Sequence, residues 1–408
     1  MVDPLRSLLR ASHLLAAERL PAVVAEHARA MGARDLVLYL TDYEQSSLVA
    51  LPGEGVPERQ VMSIDSSLAG RAFRRVEVVR SATHGGHRLW LPLLNGMERL
   101  GVVEAVLHGE PDDDLEEDLR ALVSLTAELI VANAQYSDVY ARVRRRRSMS
   151  LAAEIQWELL PPLTFGTDRV VITGGLEPAY EIGGDTFDYS VTDGTADLLV
   201  LDSVGHGLPA AVLAGVAVGA YRHARRSRLD LPDIAREMDE AIAGQFTGSQ
   251  FATAVIARLD VESGQLRWVN AGHPDPLVLR AGELVLPPRC PPSRPLGLQD
   301  GRPTTCTTRL EPGDRLVLYT DGITEARSPD GEFFGEARLA EFILAAASAG
   351  DPAPETVRQL MRRVLEHQAD QLQDDASIVM LEWRTGEEWR IPSGVAPRSA
   401  VHPRDAAR

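Results

Sequence analysis

The sequence predicts an α+β chain with two folded parts joined by a long helix. Three observations lead there. Short apolar runs separated by turn formers fill roughly the first hundred residues. No Pro or Gly occurs from 112 to 160, where apolar residues recur at threes and fours. Beyond 165, strand-like and helix-like segments alternate, and turns such as "DVESGQ" (260–265) and "RAGE" (280–283) are too short for parallel crossovers, so the strands should pair antiparallel.

In chain order, residues 4–31 read as one amphipathic helix with Leu8, Leu9, Leu14, Leu15, Leu20, Val23, Val24 and Ala28 on a stripe. The apolar runs "LVLYL" (36–40), "SLVAL" (47–51), "VEVVR" (76–80), "RLWLPLL" (88–94) and "LGVVEAVL" (100–107) read as strands, with "SSLAGRAFRR" as a helix between them. Asn95-Gly96 is the expected hairpin turn between the last two. These elements make a first domain over 1–111.

Residues 112–160 read as one coiled-coil helix. Its stripe is Leu119, Leu122, Leu129, Tyr136, Tyr140 and Val143, with Thr126 and Asn133 in the polar gaps, and it predicts a homodimer paired through this linker. Acids at 112–118 suit the helix dipole. The run Arg144–Arg147 reads as a solvated helix face, and a second stripe, Leu151, Ile155 and Leu159, as a contact with the following domain. Pro161-Pro162 ends the helix. In the second domain, 165–384, strands are expected at 169–177, 196–202, 252–260, 265–270, 275–280, 314–320 and 377–383, and helices at 208–228, 231–246, 335–348 and 352–372. Residues 385–408 lack apolar period and read as a loose tail.

A net charge of −17 excludes a general nucleic-acid binder, which needs a basic face. No apolar run reaches membrane-spanning length. The two cysteines, Cys290 and Cys306, form no CxxC pair, so neither a zinc site nor a redox motif is expected, and a reducing, cytoplasmic setting follows.

Four acidic positions share one context. Asp185 follows Gly183-Gly184; Asp202 ends "LLVL"; Asp321 follows "RLVLYT" and precedes Gly322; Asp374 and Asp375 precede "ASIVML". Acids at strand tips are held rigidly, and hard divalent cations take carboxylate oxygens. Two such ions can share a carboxylate and activate water for attack on phosphorus. Each motif alone is an ordinary turn; the four together point to a metal centre.

The ordered motifs "EIGGDTFDY", "LDSVGHGLPAAVL", "FATAVIARLD", "NAGHPDPLVL", "LVLYTDGITEAR" and "QDDASIVML" resemble the SpoIIE/RsbU branch of the PPM-type metal-dependent protein phosphatases over about 165–384. The resemblance implies an α-β-β-α sandwich and removal of phosphate from serine or threonine with two Mn2+ or Mg2+ ions. It makes Asp202 the bridging acid, the Ser203 carbonyl a ligand, Asp185 the acid of the first motif, and Asp321 and Asp374 the acids of the second ion. The branch commonly reads Asp-Val-Ser-Gly-His-Gly where this chain has Asp202-Ser203-Val204-Gly205-His206-Gly207, a swap to which a backbone carbonyl is indifferent. His206 is a candidate proton donor, while Asn270 and His273 read as loop-fixing residues. Residues 15–135 resemble a GAF sensor domain, chiefly in "SLAGRAFRR", "RLWLPLL" and "LGVVEAVL", with an unidentified ligand. There is no cysteine there for a bilin, and His84 and His87 are the histidines nearest these motifs. The resemblance implies a phosphorylated anti-anti-sigma protein of the STAS type as substrate, acting in a partner-switching pathway. A catalytically silent, phosphatase-like scaffold is the competing reading, against which all four acids are retained.

Overall fold

The computed structural model describes residues 4–83, 86–181, 183–246, 250–291, 293–298, 301–369 and 374–384. His84 and the expected tail at 385–408 lie outside these. The N-terminal elements are α1 (Pro4–Ser12), α2 (Leu20–Met31), β1 (Ala33–Thr41), β2 (Ser47–Ala50), β3 (Met62–Ser63), α3 (Leu68–Arg75), β4 (Val79–Thr83), β5 (Gly86–Asn95) and β6 (Glu98–Leu107). The strands form one antiparallel sheet in the order β3-β2-β1-β6-β5-β4. Strand alternation sorts β1: Leu36, Leu38 and Leu40 face α1 and α2, while Val37 and Tyr39 join Phe73 and Trp90 on the face covered by α3. Each fully buried Leu contributes about 1.5–3 kcal/mol.

Two expected continuous helices are broken. The helix at 4–31 divides into α1 and α2 with 13–19 between them, and Leu14 is fully exposed. Pro21 sits at the start of α2, where its missing N–H is harmless; in an unbroken helix its ring would meet the carbonyl of residue 17. The stretch 112–160 divides into α4 (Asp113–Ala134), α5 (Val139–Arg144) and α6 (Leu151–Leu159). Asp112 and Ser150 cap α4 and α6 by accepting the Leu115 and Ala153 N–H groups. Much of the expected seam is covered within this chain: Leu119, Leu122, Thr126 and Asn133 are buried, the two leucines in the N-terminal core, while Tyr136 is exposed. The polar gaps are satisfied internally, Thr126 by the Leu122 carbonyl (2.7 Å) and Asn133 by the Tyr140 hydroxyl (3.4 Å).

The remaining elements are β7 (Thr164–Gly166), β8 (Val170–Glu177), β9 (Thr186–Thr192), β10 (Thr195–Ser203), α7 (Leu208–Arg226), α8 (Leu231–Gln245), β11 (Ala252–Asp260), β12 (Gln265–Ala271), β13 (Leu277–Arg280), β14 (Glu283–Val285), β15 (Cys306–Arg309), β16 (Arg315–Tyr319), α9 (Asp321–Thr324), α10 (Gly335–Ser348), α11 (Ala353–His367) and β17 (Ala376–Trp383). They make two antiparallel sheets, β15-β12-β11-β10-β9 and β14-β13-β16-β17-β8-β7. Leu198, Val200, Phe187, Trp268, Leu318 and Val379 pack between the sheets. The opposite residues of the same strands, Leu199 and Leu201 of β10 and Val317 and Tyr319 of β16, pack outward against α7 with α8 and α10 with α11, respectively. The result is a four-layer α-β-β-α sandwich.

Cys290 and Cys306 form a disulfide with a Cα–Cα distance of 5.6 Å. It ties the segment after β14 to the edge strand β15, and closing a loop of this length contributes about 3 kcal/mol through the unfolded chain. The pairing was not legible in the sequence, since spacing does not reveal which residues an edge strand brings together. Among the described residues, no helix is long and apolar enough to cross a membrane.

The two domains meet through charge. Arg99 Nη1 pairs with Glu355 Oε2 at 3.1 Å, and both side chains are buried. Arg358, also buried, binds Glu355 and reaches Asp65 at 2.7 Å. Only Arg144 of the arginine run lies in a helix, and although Arg146 and Arg147 are exposed, the run makes specific contacts. Arg144 lies over the Tyr43 ring and donates to the Thr41 carbonyl, Arg145 pairs with Glu154, and Arg147 pairs with Glu44 and lies over Tyr180. Planar guanidinium groups stack on rings and bridge carboxylates, which fastens this segment to both domains. Removing one partner of a buried pair leaves an unanswered charge. Glu355→Ala is therefore expected to lower stability by about 3 kcal/mol in denaturant unfolding, whereas exposed Glu366→Ala changes it by under about 1 kcal/mol.

Candidate active site

The alternation that fills the inter-sheet core also aims the acids. In β10, Ala196, Leu198 and Val200 face the other sheet, and Asp202 continues that series at the strand's end. Phe187 and Tyr189 of β9 do the same, which places Asp185, just before β9, on the inter-sheet side. Leu316 and Leu318 of β16 lead to Thr320; Val379 and Leu381 of β17 lead back to Ser377 and Asp375. Leu201 pairs with Thr186 and Tyr319 with Ile378, so each sheet brings its two acid-bearing ends together.

Two sets of hydrogen bonds join the sheets at this mouth. Thr320 Oγ1 donates to Asp185 Oδ2 at 2.5 Å and accepts from the Ser377 N–H at 2.9 Å. Asp375 Oδ2 accepts the Gly183 and Gly184 N–H groups, each at 2.6 Å. The close approach excludes side chains. A Cβ on Gly322 would lie 1.8 Å from the Asp375 carbonyl oxygen, and one on Gly184 would lie 2.6 Å from that of Ser203.

Asp185 is buried, Asp202, Asp321 and Asp375 are half-buried, and Asp374 is exposed at the rim. Burial, then the neighbouring Asp202 charge, holds the Asp185 carboxyl well above its ordinary range. Asp202 is pushed up to about 7 by burial and by Asp321, Asp374 and Asp375. Asp321 is raised by burial, Glu325 and Asp374. The charged groups acting most on Asp202 are thus all carboxylates, a surplus of negative charge that divalent cations relieve. Among the described residues, no three Asp, Glu, His or Cys side chains converge closely enough to hold one ion as they stand. The donor set fits Mn2+ or Mg2+ by its chemistry, with Asp185, Asp202, Asp321 and Asp374 within electrostatic reach of one another.

Ser203 is buried, with its hydroxyl donating to the Gly184 and Ala210 carbonyls at 3.0 Å. His206 is exposed on the turn beside the acids. Asn270 bonds the His273 backbone in both directions at 2.8 Å, and His273 Nδ1 meets Thr253, so this pair fixes a loop as its sequence suggests. Sequence reasoning missed Thr320 and the clasp made by Asp375. The doubled Asp374-Asp375 and the Thr before Asp321-Gly322 were the available signals.

Asp202 titrates near 7 in the folded chain against 3.8 in an ordinary setting, so metal-free protein takes up a proton on folding between these values and loses stability as pH rises through them. In EDTA, Asp202→Asn is expected to stabilise the protein at pH 8 by about 1 kcal/mol or more. The gain should fade as pH drops from about 7 toward 4. Thermal unfolding of both proteins across that range checks it; a difference constant with pH contradicts it.

The family model for stage II sporulation protein E (SpoIIE) matches residues 192–384. The phosphoserine phosphatase RsbU of Bacillus subtilis is 23% identical over 237 residues, covering 58% of this chain and 70% of the relative. Protein IcfG of Synechocystis is 24% identical over 243 residues, covering 52% of this chain but only 38% of IcfG. Among solved structures, the SiaA-PP2C domain of Pseudomonas aeruginosa has a TM-score of 0.49 at 24% identity, covering 57% of this chain and 94% of that one. The SpoIIE family model over 192–384 and the similarity to RsbU support a SpoIIE/RsbU-type PPM phosphatase domain in this part of the chain.

Proposed function

We propose that the chain is a protein serine/threonine phosphatase dependent on two Mn2+ or Mg2+ ions. The observation that supports this reading is that the ends of β9 and β10 near Asp185 and Asp202 and those of β16 and β17 near Asp321 and Asp374 are joined at one mouth of the sandwich by the Thr320–Asp185 and Gly184–Asp375 hydrogen bonds. Asp202 would serve both ions, with the Ser203 carbonyl and Asp185 on one and Asp321 and Asp374 on the other. Bound ions supply an activated water and offset the charge of the phosphoryl group. The chain's own groups do the rest. Thr320 and Asp375 hold the turn bearing Asp185 in place, and His206 is positioned on the adjoining turn to give a proton to the departing serine or threonine oxygen. The substrate in this reading is a separate phosphorylated STAS protein of a partner-switching pathway, as the family resemblance implies; the printed name of RsbU, a phosphoserine phosphatase, supports the phosphoserine part. The N-terminal domain, GAF-like in its motifs, acts as the sensor through an unidentified ligand.

Hydrolysis of p-nitrophenyl phosphate and of a phosphoserine protein with Mn2+, abolished by EDTA, tests the activity; turnover surviving full chelation contradicts it. Asp202→Asn should lower kcat about a hundredfold or more, as expected where an activating ion is displaced. Asp375→Ala removes the clasp on the Asp185 turn and one neighbouring charge. It should weaken Mn2+ affinity by about 10–100-fold, the range typical of outer-sphere partners, with activity partly restored by excess Mn2+.

A further inference from the structure

A groove of about 1350 Å3 runs from the acids to the N-terminal domain. Asp374 and His206 stand at one end; Glu44 and Ser46, in the turn between β1 and β2, stand at the other. Its floor is the chain leaving β8, from Glu177 to Glu181, and one side is the last turn of α11 at Glu366. This volume exceeds that of a usual small-molecule pocket, roughly 300–1,000 Å3. The buried Arg99–Glu355 pair and the Arg358–Asp65 bond fix the N-terminal wall against α11, so the groove's two sides are held in register.

We infer that this groove, made by both domains, docks the phosphoprotein and selects a segment with lysine or arginine flanking the phosphorylated side chain. The inference rests on the phosphatase reading and adds the chemistry of the substrate. Six of the lining side chains are acids (Glu44, Glu177, Glu181, Glu366, Asp374 and Asp375) against two arginines, Arg147 and Arg362. Glu44 answers Arg147, and Glu366 with Asp65 answers Arg362, so the surplus acids of the lining are Glu181, Asp374 and Asp375, with Glu177, which burial pushes up to about 7. Glu181 is exposed on the floor. Cations held by the acids would draw the phosphate to that end, while the flanking chain crosses the surface carrying Glu181 and Glu177. A basic segment gains there and an acidic one is repelled. The turn carrying Glu44 makes the N-terminal domain part of the docking surface.

The test compares two phosphothreonine peptides, one with Lys and Arg flanks and one with Asp and Glu, on the full chain with Mn2+. The ratio of kcat/KM should favour the basic peptide by about fivefold at low salt, the effect of one or two exposed charge pairs. It should narrow at an ionic strength of about 1 M, where screening acts within about 3 Å. Glu181→Lys and, separately, Glu44→Lys should each move the ratio toward one, the first reporting the floor and the second the N-terminal wall. Equal rates, an acidic preference, or a preference that neither reversal moves would overturn the assignment while leaving the phosphatase reading intact. If neither peptide nor p-nitrophenyl phosphate is hydrolysed, the phosphatase reading fails and the groove assignment falls with it.

Discussion

Carboxylates crowded in a poorly solvated place repel one another, and the C-terminal domain is organised to contain that repulsion. Two sheets bury their apolar faces against each other, and the acids fall where the alternation runs out, at the ends of β10 and β16 and the starts of β9 and β17. Rigid strands set the direction of Asp202 and of the turn bearing Asp185, because shifting the register by one residue would send them to the helix-covered face, while Asp321 and Asp374 lie one residue off the series that ends in Thr320 and Asp375. The hydrogen bonds from Thr320 to Asp185 and from Gly183 and Gly184 to Asp375 then hold the two sheets together at the point where charge would part them. Asp375 differs from its neighbours in this respect: two backbone N–H groups meet its oxygen, so its charge serves the scaffold.

The join between domains uses the same means with the opposite balance. Arg99 and Arg358 enter a buried site only because Glu355 and Asp65 meet them there. Such pairs add little net stability compared with apolar packing, but they penalise any displaced arrangement. They fall on α11, whose last turn lines the groove and which precedes the segment carrying Asp374 and Asp375. The arginine-rich segment from Arg144 to Arg147 fastens the connection from the other side, on Tyr43 and Tyr180.

Much of the sandwich was legible in the sequence. Strands β8, β10, β11, β12, β16 and β17 and helices α7, α8 and α10 lie within about one or two residues of expectation, because long apolar periods bounded by Gly and Pro carry strong signals. Asp202, Asp321 and Asp374 stood out for the same reason, as strand tips, whereas Asp185 stood out only by its double glycine, because β9 was not expected. What was not legible depends on contacts distant in sequence. The stripe at 119–143 looked like an intermolecular seam because periodicity shows an apolar face but not what covers it; here that is the chain's own N-terminal sheet. Arg144–Arg147 looked solvated because stacking on Tyr43 and Tyr180 needs the fold. The Cys290–Cys306 bond depends on where an edge strand lies. Asp375 was read beside Asp374 as one of a pair, and only geometry separates a clasp from a candidate ligand.

The close approach at Gly322 changes the meaning of its motif. Asp-Gly is ordinarily a turn signal, useful because glycine tolerates many backbone angles. Here the Asp375 carbonyl occupies the space where a methyl group would stand. Even alanine, which suits the helical start of α9, would wedge β16 away from β17 and separate Asp321 from Asp374. The glycine works as a spacing gauge between two strands, and the distance between two of the acids is recorded in the sequence by an atom that is not there.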